Sequence, residues 1–177
     1  MINPDLHWVF GYGSLIFRVD FPVVTKRDAY ILDWERRFWQ GSHDHRGIPE
    51  APGRVVTLIS SPGAKCEGVA YQVASEVFEH LDFREKNGYC RVTTRIQFSS
   101  DDAVTGAVYV ADPGNHAFLG AAPLAEIADQ VVVSRGPSGG NAEYLLDLAA
   151  AFRERAIYDP HVFELEALVK ARLSASC

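Results

Sequence analysis

Glu85 is the carboxylate whose spacing asks for an explanation. If residues 75–86 form a helix, Glu85 falls four residues after Leu81 and seven after Phe78, which puts all three on one face. Phe78 and Leu81 should turn to the core, so Glu85 should point inward with them. Two readings fit an inward carboxylate. One is an ion pair with Arg84, Lys86 or a distant arginine; the other is a general base whose affinity for protons is raised by burial. Asp82 flanks the same face and is the competing carboxylate, better suited to a cap or a salt bridge.

A second chemical feature lies near the start of the chain. Trp8, Val9 and Phe10 favour a strand. Gly11 and Gly13 then flank Tyr12, and Ser14, Leu15, Ile16 and Phe17 follow. Glycines here permit backbone angles and close approaches that a side chain forbids. The stretch reads as a buried strand entering a tight turn that holds a small polar or anionic group, or as a bulged strand with no ligand. It is not a dinucleotide fingerprint, because the third glycine is missing, and no Gly-Lys-Ser/Thr marks a P-loop. Ser14 lacks the G-x-S-x-G setting of an acyl-forming nucleophile.

His43, Asp44, His45 and Arg46 form a weak metal signal, since zinc sites draw a third protein ligand from elsewhere and no Cys cluster or H-E-x-x-H supplies one. The plainer reading is a polar loop whose side chains fix its own turns. Residues 136–141 precede a helix, and helix N-termini attract anions; the commoner reading is simply a mobile loop followed by a cap. Tyr144 falls on the first turn of that helix and Tyr89 sits close to Glu85. Either hydroxyl can reach a substrate and either ring can be core.

The elements that must position these groups follow from periodicity. Residues 29–39 alternate as a strand, with Tyr30, Leu32, Trp34 and Phe38 on one face. A polar loop spans 41–53. Short strands at 54–59 and 68–73 flank a Ser-Ser-Pro-Gly turn. The helix at 75–86 has Ser75 as its N-cap, and strands follow at 91–98 and 105–111. Three helices close the chain: from Pro123 to about Val132, from the N-cap Asn141 to about Ala156, and from Asp159–Pro160 onward with Val162, Leu165, Val169 and Leu173 inward. About six strands followed by helices indicate an α+β fold, with the strands curled into a small barrel or a strongly bent sheet.

Bulk properties set the class. A length of 177 residues fits one domain, taken as residues 1–177, and 47% hydrophobic with 23% charged residues is ordinary for a globular protein. The net charge of −6 argues against nucleic acid or an anionic membrane as partner. Cys66, Cys90 and Cys177 are odd in number and lack zinc spacing, which suits a reducing compartment. Met1–His7 shows no signal-peptide pattern and no apolar run is long enough to span a membrane, so the expectation is a cytoplasmic protein. Oligomeric state is not fixed; a monomer is the simpler expectation.

Taken in order, several blocks resemble the ChaC-type glutathione-specific γ-glutamylcyclotransferases. They are Val9–Phe10–Gly11–Tyr12–Gly13–Ser14–Leu15–Ile16, Phe38–Trp39–Gln40–Gly41–Ser42, Asp44–His45–Arg46–Gly47 and Pro52–Gly53–Arg54–Val55–Val56–Thr57–Leu58. Further on come Gly68–Val69–Ala70–Tyr71, Asp82–Phe83–Arg84–Glu85–Lys86–Asn87–Gly88–Tyr89 and the run from Gly136 to Leu145. Phe17 stands where many relatives have Trp.

The resemblance implies the γ-glutamylcyclotransferase-like fold, a small mixed β-barrel of about six strands flanked by helices. It implies cleavage of glutathione to 5-oxoproline and cysteinylglycine, with no cofactor and no metal. The family's catalytic glutamate falls on Glu85. Substrate-binding positions fall on Val9, Phe10, Gly11, Tyr12, Gly13, Ser14 and Leu15, with Tyr89 and Tyr144 added. Two alternatives remain: the same chemistry on other γ-glutamyl amino acids or amines, and a non-catalytic metabolite-binding module on this fold.

Overall fold

A computed structural model describes residues 5–176 of the chain, so Cys177 and the first residues of the Met1–His7 reading lie outside it. Five strands close a barrel in the order β1-β3-β2-β4-β5. They are β1 (Leu6–Gly11), β2 (Thr25–Ser42), β3 (Gly53–Ala74), β4 (Tyr89–Gln97) and β5 (Ala103–Ala111). β1 pairs parallel with β5, Val9 opposite Ala107, and antiparallel with β3, Val9 opposite Tyr71. The barrel is therefore mixed, as expected, with five strands where about six were anticipated.

The count differs because β3 is one continuous strand of 22 residues rather than two short ones. Gly63 absorbs the irregularity with a left-handed φ of 84°, and its N–H donates to Asp33 Oδ1 at 2.8 Å. A bulge also tolerates the Pro62 that precedes it. Asp33 itself has φ 67°, a conformation Asp adopts more readily than most residues. This irregularity shifts the phase of β2. Ala29 and Ile31 are buried before it, Arg36, Phe38 and Gln40 after it, and Leu32 is exposed. The single face expected for Tyr30, Leu32, Trp34 and Phe38 is thus broken in two.

The chain divides into two compact units. The first comprises Met1–Glu35 and Leu58–Asp112. It contains the short helix α1 (Ser14–Phe17) and α2 (Val77–Arg84), and buries Val9, Phe10, Ile31, Leu58, Val69, Tyr71, Leu81, Ile96 and Val108. Its tightest backbone approach is at Gly68, where a Cβ would lie 2.2 Å from the Gly11 carbonyl oxygen. Only glycine lets β1 and β3 pair there.

The second unit comprises Arg36–Thr57 and Pro113–Cys177. It holds α3 (Leu124–Val133), α4 (Asn141–Glu154) and α5 (Pro160–Ala175) around Phe38, Ile127, Leu145, Leu148, Phe152 and Leu165. Asp159 caps α5 as expected, accepting from the Val162 N–H at 3.2 Å with Pro160 in the first turn. The stretch expected to be a mobile loop is an ordered hairpin of β6 (Arg135–Gly136) and β7 (Gly139–Gly140). Asn141 is not the N-cap of α4. It is fully buried, and its amide accepts from the Arg54 N–H (2.7 Å) and donates to the Arg54 carbonyl (2.8 Å), standing in for a neighbouring strand.

Candidate active site

The glycine turn is formed as anticipated at the end of β1, but Ser14 then opens a helical turn rather than further strand. Gly13 is its N-cap residue, the Ile16 N–H donates to the Gly13 carbonyl, and the Arg18 N–H donates to the Ser14 carbonyl. Gly11 is needed because a Cβ there would lie 2.9 Å from Leu15 Cβ and 3.2 Å from the Tyr71 ring. Two buried tyrosines pin the turn. Tyr71 donates its hydroxyl to the Leu15 carbonyl at 2.6 Å, and Tyr12 donates to the Tyr109 carbonyl at 2.6 Å.

Glu85 ends α2. Its N–H donates to the Leu81 carbonyl at 2.9 Å, its φ and ψ of −93° and 10° leave the helix, and its own carbonyl accepts from the Tyr89 N–H at 3.2 Å. The helix begins later than expected, with the Ser75 carbonyl rather than its hydroxyl receiving the Phe78 N–H. Leu81 is wholly buried below Glu85, and the Glu85 side chain is 16% exposed, so the inward direction read from spacing is kept at the helix end.

Arg84 connects Glu85 with the turn. Its Nη2 donates to Ser14 Oγ at 3.0 Å, and its Nη1 donates to Asp20 Oδ1 at 2.6 Å and the Arg18 carbonyl at 3.1 Å. Its Nε lies 3.6 Å from Glu85 Oε1, beyond hydrogen-bond range. Burial pushes the Asp20 carboxyl up, but Arg84 and His80 together outweigh it and hold the group below the usual carboxylate range. Both readings of Glu85 therefore have a footing: a cation is near, yet it is engaged elsewhere.

A second chain of contacts reaches the turn from the other carboxylate. Tyr109 donates its hydroxyl to Asp82 Oδ1 at 2.6 Å, and Arg91 pairs with Asp82 at 3.6 Å. Burial raises the Tyr109 phenol well above its ordinary value, helped by the charges of Asp82 and Glu85. It stays a donor throughout the physiological range. Asp82 thus has the salt-bridge role expected of it.

The structure gathers Tyr12, Gly13, Ser14, Leu15 and Glu85 through these contacts, with Tyr89 opening β4 four residues after Glu85 and tied to it by its main-chain N–H. Val9 and Phe10 are 0% and 1% exposed, so their side chains belong to the core and only their main chain is at hand. Tyr144 lies in the second unit. It is buried against Phe38, and its hydroxyl accepts from the Val56 N–H at 3.4 Å. Spacing did not single out Tyr71, Tyr109 or Asp20. Tyr109 did leave a signal: a phenol in the apolar strand Ala107–Val108–Tyr109–Val110 must find a buried partner.

His43 and His116 stack at 6.4 Å, and His45 Nδ1 lies 3.2 Å from Ser138 Oγ. Among the described residues, no three His, Cys, Asp or Glu side chains are grouped to hold a metal. Nor is any described helix long and apolar enough to cross a membrane. No disulfide joins Cys66, which is buried, to Cys90, which is exposed.

The closed mixed barrel with its glycine turn is the fold of the γ-glutamylcyclotransferases. A crystal structure from yeast, described as a γ-glutamylcyclotransferase specific to glutathione, matches with a TM-score of 0.89 and 30% identity, covering 94% of this chain and 96% of that one. The model of the ChaC-like protein family matches residues 7–172, and the chain belongs to that family. The glutathione-specific γ-glutamylcyclotransferase 1 of Danio rerio is 40% identical over 178 residues, 94% of this chain and 90% of that protein. The γ-glutamylcyclotransferase 2-3 of Arabidopsis thaliana is 42% identical over 182 residues, 96% of this chain and 91% of that protein.

Proposed function

We propose that this chain is a glutathione-specific γ-glutamylcyclotransferase that uses Glu85 as its general acid and base. The observation that carries the reading is the Glu85 carboxylate at the end of α2, joined through Arg84 to the Tyr12–Gly13–Ser14 turn. Relatives whose names state this activity support the substrate.

The γ-glutamyl group carries its own nucleophile. Its α-amine attacks the γ-carbonyl carbon and closes a five-membered ring, so the chemistry calls for no external water or covalent enzyme nucleophile. The carbon–nitrogen bond to cysteine then breaks, releasing 5-oxoproline and cysteinylglycine. The protein must hold amine and carbonyl together, which removes entropy from the barrier. Glu85 takes the proton from the attacking amine and returns it to the departing cysteine nitrogen, one carboxylate serving both steps.

The turn supplies the other half. The first N–H groups of a helical turn have no partner within it, and those near Ser14 and Leu15 suit either the substrate's α-carboxylate or the carbonyl oxygen as it gains charge. Fixed donors aimed at developing charge are each worth about 3 kcal/mol. Tyr71 and Tyr12 keep the turn from relaxing. We assign Tyr89 to the substrate's surroundings, the protein to the cytoplasm and the active form to a monomer.

Glu85→Gln keeps size and hydrogen bonding but cannot accept a proton. The variant is expected to fold, with an unchanged circular dichroism spectrum, and to lose about a hundredfold or more in kcat with glutathione. Retention of most of the activity would remove Glu85 from the role of base.

A further inference from the structure

A general base beside an arginine faces a difficulty. A guanidinium that closes on the carboxylate as a two-point ion pair stabilises its charged form and weakens it as a base. Arg84 is next to Glu85 in sequence and close to it in space, yet its Nε stops 3.6 Å short. Its other nitrogens are taken by Asp20 Oδ1 at 2.6 Å, Ser14 Oγ at 3.0 Å and the Arg18 carbonyl at 3.1 Å. Of these three partners, only Asp20 carries charge.

We propose that Asp20 is a positioning residue for the reaction: it anchors the Arg84 guanidinium on the Ser14–Asp20 segment and so keeps it from closing on Glu85. The inference rests on Glu85 being the base. One arginine then does two things. It holds the Ser14 hydroxyl in a fixed direction at the turn, and it stays close to the carboxylate without capturing it. His80 Nε2, 3.2 Å from the same Asp20 oxygen, reinforces the anchor when protonated.

The arrangement is built rather than incidental. The Arg84 side chain is 14% exposed and its bond to Ser14 Oγ is partly buried, while its bonds to Asp20 and the Arg18 carbonyl lie at the surface and Asp20, 45% exposed, belongs to no core. Asp20 can therefore be altered without opening a cavity. Tyr109, which feels the Glu85 charge and stays neutral, donates to Asp82, and Asp82 pairs with Arg91. None of these competes for Arg84.

The test is a double-mutant cycle on purified protein with glutathione. Asp20→Asn is expected to lower kcat about tenfold with KM changed less than about twofold, because the released arginine captures the base. It should also move the acid limb of the kcat profile about one pH unit lower. Asp20→Glu should restore most of the rate. In an Arg84→Gln background, Asp20→Asn should change kcat no further, since no guanidinium remains to be released.

An equal loss in both backgrounds, no loss in either, or loss of the folded state in Asp20→Asn would overturn the proposal. Glu85→Gln run alongside separates the two readings. If it is inactive and Asp20→Asn is normal, only the Asp20 assignment fails; if it is active, the base itself is misassigned.

Discussion

Burial and the neighbouring Arg37 hold the His161 imidazole well below its ordinary value, to about 4, against the opposing pull of Asp159. The ring is neutral at pH 7, and its Nε2 accepts the Phe38 N–H at 3.0 Å, a bond that protonation would destroy. Between pH 6.5 and 4 the unfolded chain binds this proton and the folded one does not. Stability therefore falls as pH drops through that window and levels off below it, by about 3 kcal/mol from this group. Urea unfolding at pH 7, 5.5 and 4 should show the loss, and His161→Gln should flatten the dependence. An unchanged slope in the variant would contradict the assignment. At the same scale, helical spacing gave the inward direction of Glu85 beside the buried Leu81, although Phe78 is only half-buried, and it left the role of Glu85 open; the family resemblance alone pointed to catalysis. Asp20 and Tyr109 were not legible. Their partners, Arg84 and Asp82, lie 64 and 27 positions away, and no local period records such pairings.

Elements carry the next layer. Asn141 replaces a strand neighbour for Arg54 with one side-chain amide, deep in the second unit. Asn141→Ala leaves a buried N–H and a buried carbonyl unpaired and should cost about 3 kcal/mol, read from the urea midpoint. A cost below about 1 kcal/mol would mean the strand pairs otherwise. Gly68→Ala should destabilise the first unit, because the added Cβ would meet the Gly11 carbonyl at 2.2 Å and backbone cannot yield cheaply. Sequence periodicity caught β1, β4, β5 and all three C-terminal helices, whose apolar spacing is regular. It broke at Asp33 and Gly63, where left-handed residues shift the strand phase without ending the strand. The Asn141 reading failed for a related reason. An amide before a helix reads as a cap, and only the fold reveals that its partner is the main chain of Arg54.

At the scale of the whole molecule, β2 and β3 each pass through both compact units, one crossing at Glu35–Arg36 and the other at Thr57–Leu58. Neither unit is a contiguous segment. We therefore expect residues 1–177 to unfold as a single domain. Trp8 and Trp34 belong to the first unit and Trp39 to the second, so variants retaining one tryptophan apiece should report coincident urea transitions. Two separated midpoints would mean the units unfold independently. Fold class was legible early, since strands followed by helices point to α+β, and the family resemblance supplied closure into a barrel. The central claim concerns chemistry, and its most direct test is product analysis. Purified protein is incubated with reduced glutathione without added metal, and 5-oxoproline and cysteinylglycine are followed together, with γ-glutamyl dipeptides as competing substrates. The account predicts both products in equal amounts from glutathione and weak turnover of the dipeptides. Turnover of the dipeptides but not of glutathione, or no turnover of either by folded protein, would contradict it.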